Sequence, residues 1–205
     1  MSTTSDDDVN ARIAARVGEL RAERGHTLDA LAELSGVSRS AISSIERGAA
    51  NPTAVVLERL ATGLAVPLAS LFDGPAAPPD APGPLVRRAD QLRWRDPQSG
   101  YVRRNVSPPG WPSPIRITEV ELPPGAAVAY ETAERAVVID QQLWVLAGEV
   151  EVTVGDQVHR LATGDCLAMR VDRPTAFHNP GDRSVRYAVV VTDRPGPRRT
   201  TAWTA

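Results

Sequence analysis

The chain has 205 residues, enough for one large domain or two small ones. A hydrophobic share of 42%, a charged share of 23% and a net charge of -2 describe a folded chain and exclude a uniformly basic nucleic-acid coat or a polyanion. No apolar run approaches the roughly 20 residues that cross a bilayer, MSTTSDDDVN is acidic where a secretory leader needs positive charge, and the single Cys166 excludes an intrachain disulfide, so a cytoplasmic protein away from membranes is expected.

Residues 1–9 carry Asp6, Asp7 and Asp8 together and read as a disordered tail. Over 10–73 the apolar residues recur at helical spacing, as in Ile13, Val17 and Leu20 or Leu57, Leu60 and Leu64, which predicts an all-helical domain. The segment DGPAAPPDAPGPL holds five prolines and nothing to anchor a core, which makes 74–85 a semi-rigid extended linker. Beyond it the pattern alternates. IRITEVEL (115–122), QLWVLAG (142–148), EVEVTV (149–154) and VRYAVVV (185–191) are rich in β-branched residues with Gly, Pro and Asp between them, so 86–195 is expected to be all-β and 196–205 a second tail. The fold class is therefore α + β in two domains.

Residues 27–47, TLDALAELSGVSRSAISSIER, divide at Gly36 into two short helices, because glycine accepts the left-handed backbone such a turn needs. Thr27 and Ser38 are placed to cap them. Leu31, Val37, Ile42 and Ile45 face inward, and the small Ala32 lets the two helices cross closely. Arg39, Ser40, Ser43, Ser44 and Arg47 are left on the outer face, with Glu46 the one acid at its end.

The stretch GVSRSAISSIERGAANPTAVVLERLATGL resembles the helix-turn-helix of the phage-repressor-like XRE family of transcriptional regulators, over about residues 10–73. The resemblance implies a five-helix DNA-binding domain whose helix from Ser38 to Glu46 enters the major groove. Arg39 is then the main base reader, since its fork bonds guanine O6 and N7 together, and Ser40, Ser43 and Ser44 are less discriminating base contacts. Thr27, Ser38, Arg47, Asn51 and Thr53 are expected at phosphates, with Asn51-Pro52-Thr53 opening the next helix on free N–H groups. A single copy binds loosely, so the expected species is a homodimer on double-stranded, pseudo-palindromic DNA with half-sites about one helical turn apart. Residues 1–73 contain seven Arg and ten acids, so any basic patch is local. A helical bundle that binds protein is the alternative, and Ser35 stands where the motif usually has an apolar residue.

Farther on, WVLAGEVEVTVGDQVHRLATGDCLAM and PTAFHNPGDRSVRYAVV resemble a cupin, which implies a small β-barrel; a helix-turn-helix followed by one cupin is itself a recognisable bacterial architecture. Counting along the metal-binding cupin pattern puts Arg135 and Val137 at the first two histidine positions, Gln141 at the glutamate position and Thr175 at the last histidine position. None of the four is a usual ligand for a transition metal, so the resemblance with these departures implies no metal, no cofactor and no catalytic residue. What remains is a barrel that binds a small polar effector, such as a carboxylate, through a pocket at Arg135, Val137, Gln141 and Thr175, or that dimerises. A cupin enzyme tethered to a DNA-binding domain, and an antitoxin-like or scaffold protein whose barrel binds a partner chain, are the competing readings.

The segment 86–106, VRRADQLRWRDPQSGYVRRNV, has six arginines against two aspartates and a hairpin turn at DPQSG. It reads as an edge hairpin with solvated arginines, or else as an extra phosphate contact or an interdomain bridge. Trp94 and Trp144 are expected as core anchors. The whole reads as a cytoplasmic transcriptional regulator, associated with the bacterial nucleoid when bound.

Overall fold

The computed structural model describes residues 3–72, 83–131 and 137–195, and the side chains among them except those of 3–8, 137 and 193–195. Arg135, most of the 74–85 linker and the 196–205 tail lie outside the described residues.

Four α-helices come first: α1 (Thr3–Glu23), α2 (Leu28–Ser35), α3 (Arg39–Glu46) and α4 (Ala54–Gly63). Helix α1 begins inside the stretch expected as a tail, and Val9 is already buried. The fifth helix is not found among the described residues. After α4 the backbone turns at Ala65 (φ 52°), Pro67 follows, and Leu68–Phe72 forms only a 3-10 helix. Five residues are too few to recover the cost of nucleating an α-helix, and the tighter winding serves instead.

Spacing and caps account for the helix-turn-helix. Thr27 Oγ accepts from Ala30 N–H at 3.1 Å, Ser38 Oγ from Ala41 N–H at 3.2 Å, and Gly36 closes α2 at φ 67°. Leu31, Val37, Ile42 and Ile45 are buried together. Ser35, the departure from the usual pattern, is buried as well, and its hydroxyl donates to Leu31 O at 2.6 Å and accepts from Val37 N–H at 3.3 Å, so no polar group is stranded.

Close packing of α2 on α4 depends on Gly63. A Cβ there would lie 2.9 Å from Ser35 Cβ and 3.2 Å from Leu31 Cδ1. Gly63→Val is expected to cost about 1–3 kcal/mol by overpacking, read as a lower urea midpoint with an unchanged slope.

After a short 3-10 turn at Arg88–Asp90 come ten strands: β1 (Arg93–Arg95), β2 (Val102–Asn105), β3 (Ile115–Leu122), β4 (Ala127–Tyr130), β5 (Val137–Ala147), β6 (Glu149–Val154), β7 (Gln157–Ala162), β8 (Cys166–Arg170), β9 (Thr175–His178) and β10 (Val185–Pro195). They form a six-stranded sheet in the order β1-β2-β3-β10-β5-β8 and a four-stranded sheet in the order β4-β9-β6-β7. Every pairing is antiparallel.

The expected closed barrel is thus two open sheets among the described residues, with no ladder joining them. Corners carry the chain between them instead. At Gly148 (φ 87°) it passes from β5 in one sheet to β6 in the other, and a Cβ there would press on Val185 Cα at 3.2 Å.

The helical and β parts share one continuous hydrophobic core. Phe72, Trp94 and Tyr101 meet edge-on, with centroids 5.6 and 5.8 Å apart. Trp94 is the expected core anchor, but Trp144 is not: it is 52% exposed, because Leu143 and Val145 on either side of it point inward and strand alternation turns it out.

Candidate nucleic-acid interface and ligand cavity

Helix α3 presents Arg39, Ser40, Ser43 and Ser44 with Arg47 just beyond its end, all exposed or half-buried. Arg39 pairs with Asp29 of α2 at 3.2 Å, an exposed contact. Arg47 donates to Ser43 Oγ at 2.5 Å and reaches Ser44 Oγ at 3.5 Å, so arginine and serines form one polar surface.

Glu46, the acid on this helix, turns away from that surface. Its two oxygens accept from Arg21 Nε at 2.6 Å and Nη2 at 2.8 Å, a fork that fixes α3 to α1, while Arg21 also donates to His26 O at 2.9 Å. The hydrogen bonds it donates to Glu46 raise the Arg21 pKa further above its already basic range. Glu46→Ala is expected to cost about 1–2 kcal/mol of stability, since it strands a charge-assisted bidentate pair that is largely shielded from water. A urea titration checks it.

The start of α4 differs from expectation. Thr53 Oγ caps Val56 N–H at 3.3 Å and Asn51 is exposed, but Ala54 N–H is not free: it donates to Asp96 Oδ1 at 2.8 Å. Asp96 belongs to the β1–β2 turn, and its second oxygen accepts from Ser99 N–H at 2.6 Å and Ser99 Oγ at 2.5 Å. A carboxylate of the β domain thus occupies the helix end that a phosphate was expected to occupy.

The arginine-rich hairpin is correspondingly not a solvated edge throughout. Arg103 and Arg104 are buried, Arg104 in an ion pair with Glu119 and a hydrogen bond to Gln91. Strand β2 lies between β1 and β3, and its alternation sends Tyr101 and Arg103 toward the space between the sheets.

That space is a cavity of about 90 Å³. Strands of both sheets wall it and the helical domain roofs it, through Glu58 of α4 and the segment Pro67-Leu68-Ala69. Of the expected pocket residues, Gln141 and Thr175 line it; the Val137 side chain is not among those described. Thr175 Oγ donates to Arg173 O at 3.1 Å, and Gln141 Nε2 lies 3.9 Å from Met169 Sδ.

Among the lining residues not foreseen are Arg103, Tyr101, Tyr130 and Tyr187. Arg103 donates to Thr118 Oγ at 2.8 Å and sits 5.0 Å above the Phe72 ring, while its Nε is buried with no acceptor. Burial holds all three tyrosines above the usual phenol range, so they keep their protons; at Tyr101 the nearby Arg103 opposes that shift.

The donor set does not suit a metal. Gln141 and Thr175 are poor ligands, and among the described residues no three His, Cys, Asp or Glu side chains come together. His178 neighbours Glu151 instead, Nδ1 to Oε2 at 3.1 Å, and that contact followed by Arg160 holds the Glu151 carboxyl below its usual range.

Comparison with known proteins bears on both parts. Residues 17–71 match the helix-turn-helix family and residues 118–191 the cupin domain family. The chain is 26% identical over 176 residues to the HTH-type transcriptional regulator SutR of Escherichia coli, covering 85% of this chain and 91% of that protein. It is 37% identical over 59 residues to an uncharacterised HTH-type transcriptional regulator, y4dJ, of Sinorhizobium fredii, covering 29% of this chain and 77% of that one. A helix-turn-helix family transcriptional regulator from Vibrio cholerae shares the fold, with a TM-score of 0.72 at 24% identity over 94% of this chain and 99% of its own.

Proposed function

Because the chain belongs to the XRE-type helix-turn-helix transcriptional regulators that carry a cupin domain, we propose that it reads a specific operator through α3 and is tuned by a small polar effector in its cupin. The observation that carries this reading is the outer face of α3: Arg39, Ser40, Ser43 and Ser44 stand exposed or half-buried while Glu46 is drawn back onto Arg21. Arg39 is the main base reader and the serines assist it. Arg47, Thr27, Ser38 and Asn51 are assigned to phosphates, where they set register, and the α4 end at Thr53 is left to Asp96. Two copies bind together, matching a pseudo-palindromic site.

The cupin serves regulation rather than chemistry. Its cavity holds buried tyrosines, a guanidinium, an amide and a hydroxyl, a set that orients a ligand, and its Gln and Thr stand where a metal enzyme needs its ligands. The protein works in the cytoplasm, which accords with a DNA partner; among the described residues no helix is long and apolar enough to cross a membrane.

Fluorescence anisotropy tests the reading. The protein is titrated onto the intergenic DNA upstream of its own coding sequence, at about 150 mM salt with excess nonspecific DNA. Binding that survives competitor is expected. Binding no better than to random DNA contradicts it.

A further inference from the structure

The cavity between the domains carries an inference about the effector, which rests on the regulatory reading above. Arg103 is 7% exposed, it lines the cavity, and among the described residues no carboxylate lies within ion-pair distance of it. Its hydrogen-bond partner is neutral, the Thr118 hydroxyl at 2.8 Å; the one acid on the cavity wall, Glu58 on the α4 roof, lies outside ion-pair distance of it. A buried charge left this way, with its Nε lacking any acceptor, is costly unless something negative completes it.

The rest of the wall limits what that can be. Tyr101, Tyr130 and Tyr187 are protonated and offer O–H donors, as an anion requires. Valines and Ile139 cover much of what remains, which favours a short apolar body behind the charge. Size is limiting too. An apolar cavity of about 150 Å³ accepts benzene, so about 90 Å³ admits fewer than its six heavy atoms, roughly three to five.

We infer that the cavity takes a small monocarboxylate, its oxygens on Arg103 and the tyrosine hydroxyls and its short alkyl end among the valines. Leu68 and Ala69 close the cavity from the DNA-binding domain, so the occupant touches both domains at once. Its binding energy then favours the docked arrangement of the domains, and it changes DNA affinity by its preference for that arrangement over others.

The test is calorimetric titration of the full-length protein with acetate, propionate and butyrate. Propionamide, propylamine, chloride, sulfate and phosphate serve as comparisons at constant ionic strength. A ligand this small binds no tighter than the micromolar range, so the titration extends into millimolar concentrations. Propionate is expected to bind about ten- to a hundredfold tighter than its neutral isostere propionamide, the ratio a charge-assisted contact gives. Arg103→Met should abolish that preference. Should Arg103→Met fail to fold, Val189→Phe leaves the guanidinium in place, fills the cavity from β10 and should abolish binding by occupancy.

Equal binding of propionate and propionamide, preference for propylamine or for an inorganic anion, no binding of any probe, or retention of carboxylate binding in a folded variant would each overturn the assignment. Anisotropy on the same samples separates this from the regulatory reading. Competitor-resistant DNA binding without carboxylate binding overturns the ligand class alone; loss of specific DNA binding overturns the regulator.

Discussion

Arg39→Ala should narrow the gap in affinity between the operator and random DNA by about 1–3 kcal/mol, whereas Arg47→Ala should weaken binding to every sequence alike. The difference follows from where each guanidinium stands. Arg39 is the first residue of α3, at the end proposed to enter the groove, and only an exposed pair with Asp29 at 3.2 Å holds it. Such pairs are worth about 0–1 kcal/mol, so little opposes its transfer to a base. Arg47 lies past the other end of the helix and is already laid over Ser43 and Ser44, where the proposed phosphate would replace the hydroxyls as its partner. Affinities measured against salt on operator and random DNA separate the two: Arg47→Ala should lower the salt slope by about one, and Arg39→Ala should lower the ratio between sequences by about tenfold or more. Equal loss of discrimination in both variants would contradict this division.

Asp96→Ala should be among the most destabilising single substitutions in the chain, at about 2–4 kcal/mol, with its effect felt in both domains. The carboxylate is 3% exposed and takes three hydrogen bonds, one from Ala54 N–H at the start of α4 and two from Ser99 in its own turn. Removing it leaves the buried Ala54 N–H and the half-buried Ser99 N–H without an acceptor and deprives the helix end of a negative charge. Nearby Thr53 cannot substitute, because its hydroxyl is spent on Val56. Chemical denaturation followed separately by tryptophan fluorescence, to which the buried Trp94 contributes, and helical circular dichroism checks it. Both transitions should shift together, since Trp94 packs on Phe72 across the domain boundary. A shift in only one probe would mean that Asp96 supports its turn but does not tie the domains.

Much of the helix-turn-helix was legible because its determinants are local. Thr27, Ser38 and Thr53 each cap the N–H three residues on, and Gly36 stands at the turn between α2 and α3, where φ is positive. In the β part, strands β3 and β6 begin and end where the runs IRITEVEL and EVEVTV do, since period-two alternation is also a local signal. What remained hidden depends on contacts between distant segments. Asp96 reaches a helix 42 residues earlier in the chain, and nothing in DPQSG distinguishes an aspartate that shapes a turn from one that also caps another domain. Arg103 and Arg104 read as edge arginines because their burial requires β2 to lie inside a sheet and a helical domain to cover one end of it. Trp144 misled in the opposite direction: size suggested the core, but its parity on β5 faces away. For the cavity, spacing along the cupin pattern found Gln141 and Thr175, while the tyrosines and Arg103 converge from β2, β4 and β10 with no common motif.

Selection of bound fragments from a random double-stranded DNA pool by the full-length protein, at about 150 mM salt with competitor, tests sequence-specific recognition without assuming where the operator lies. Enrichment of an inverted repeat with half-sites about one helical turn apart, lost when Arg39 is replaced by alanine, is the predicted result. A pool that stays random through successive rounds would contradict the account.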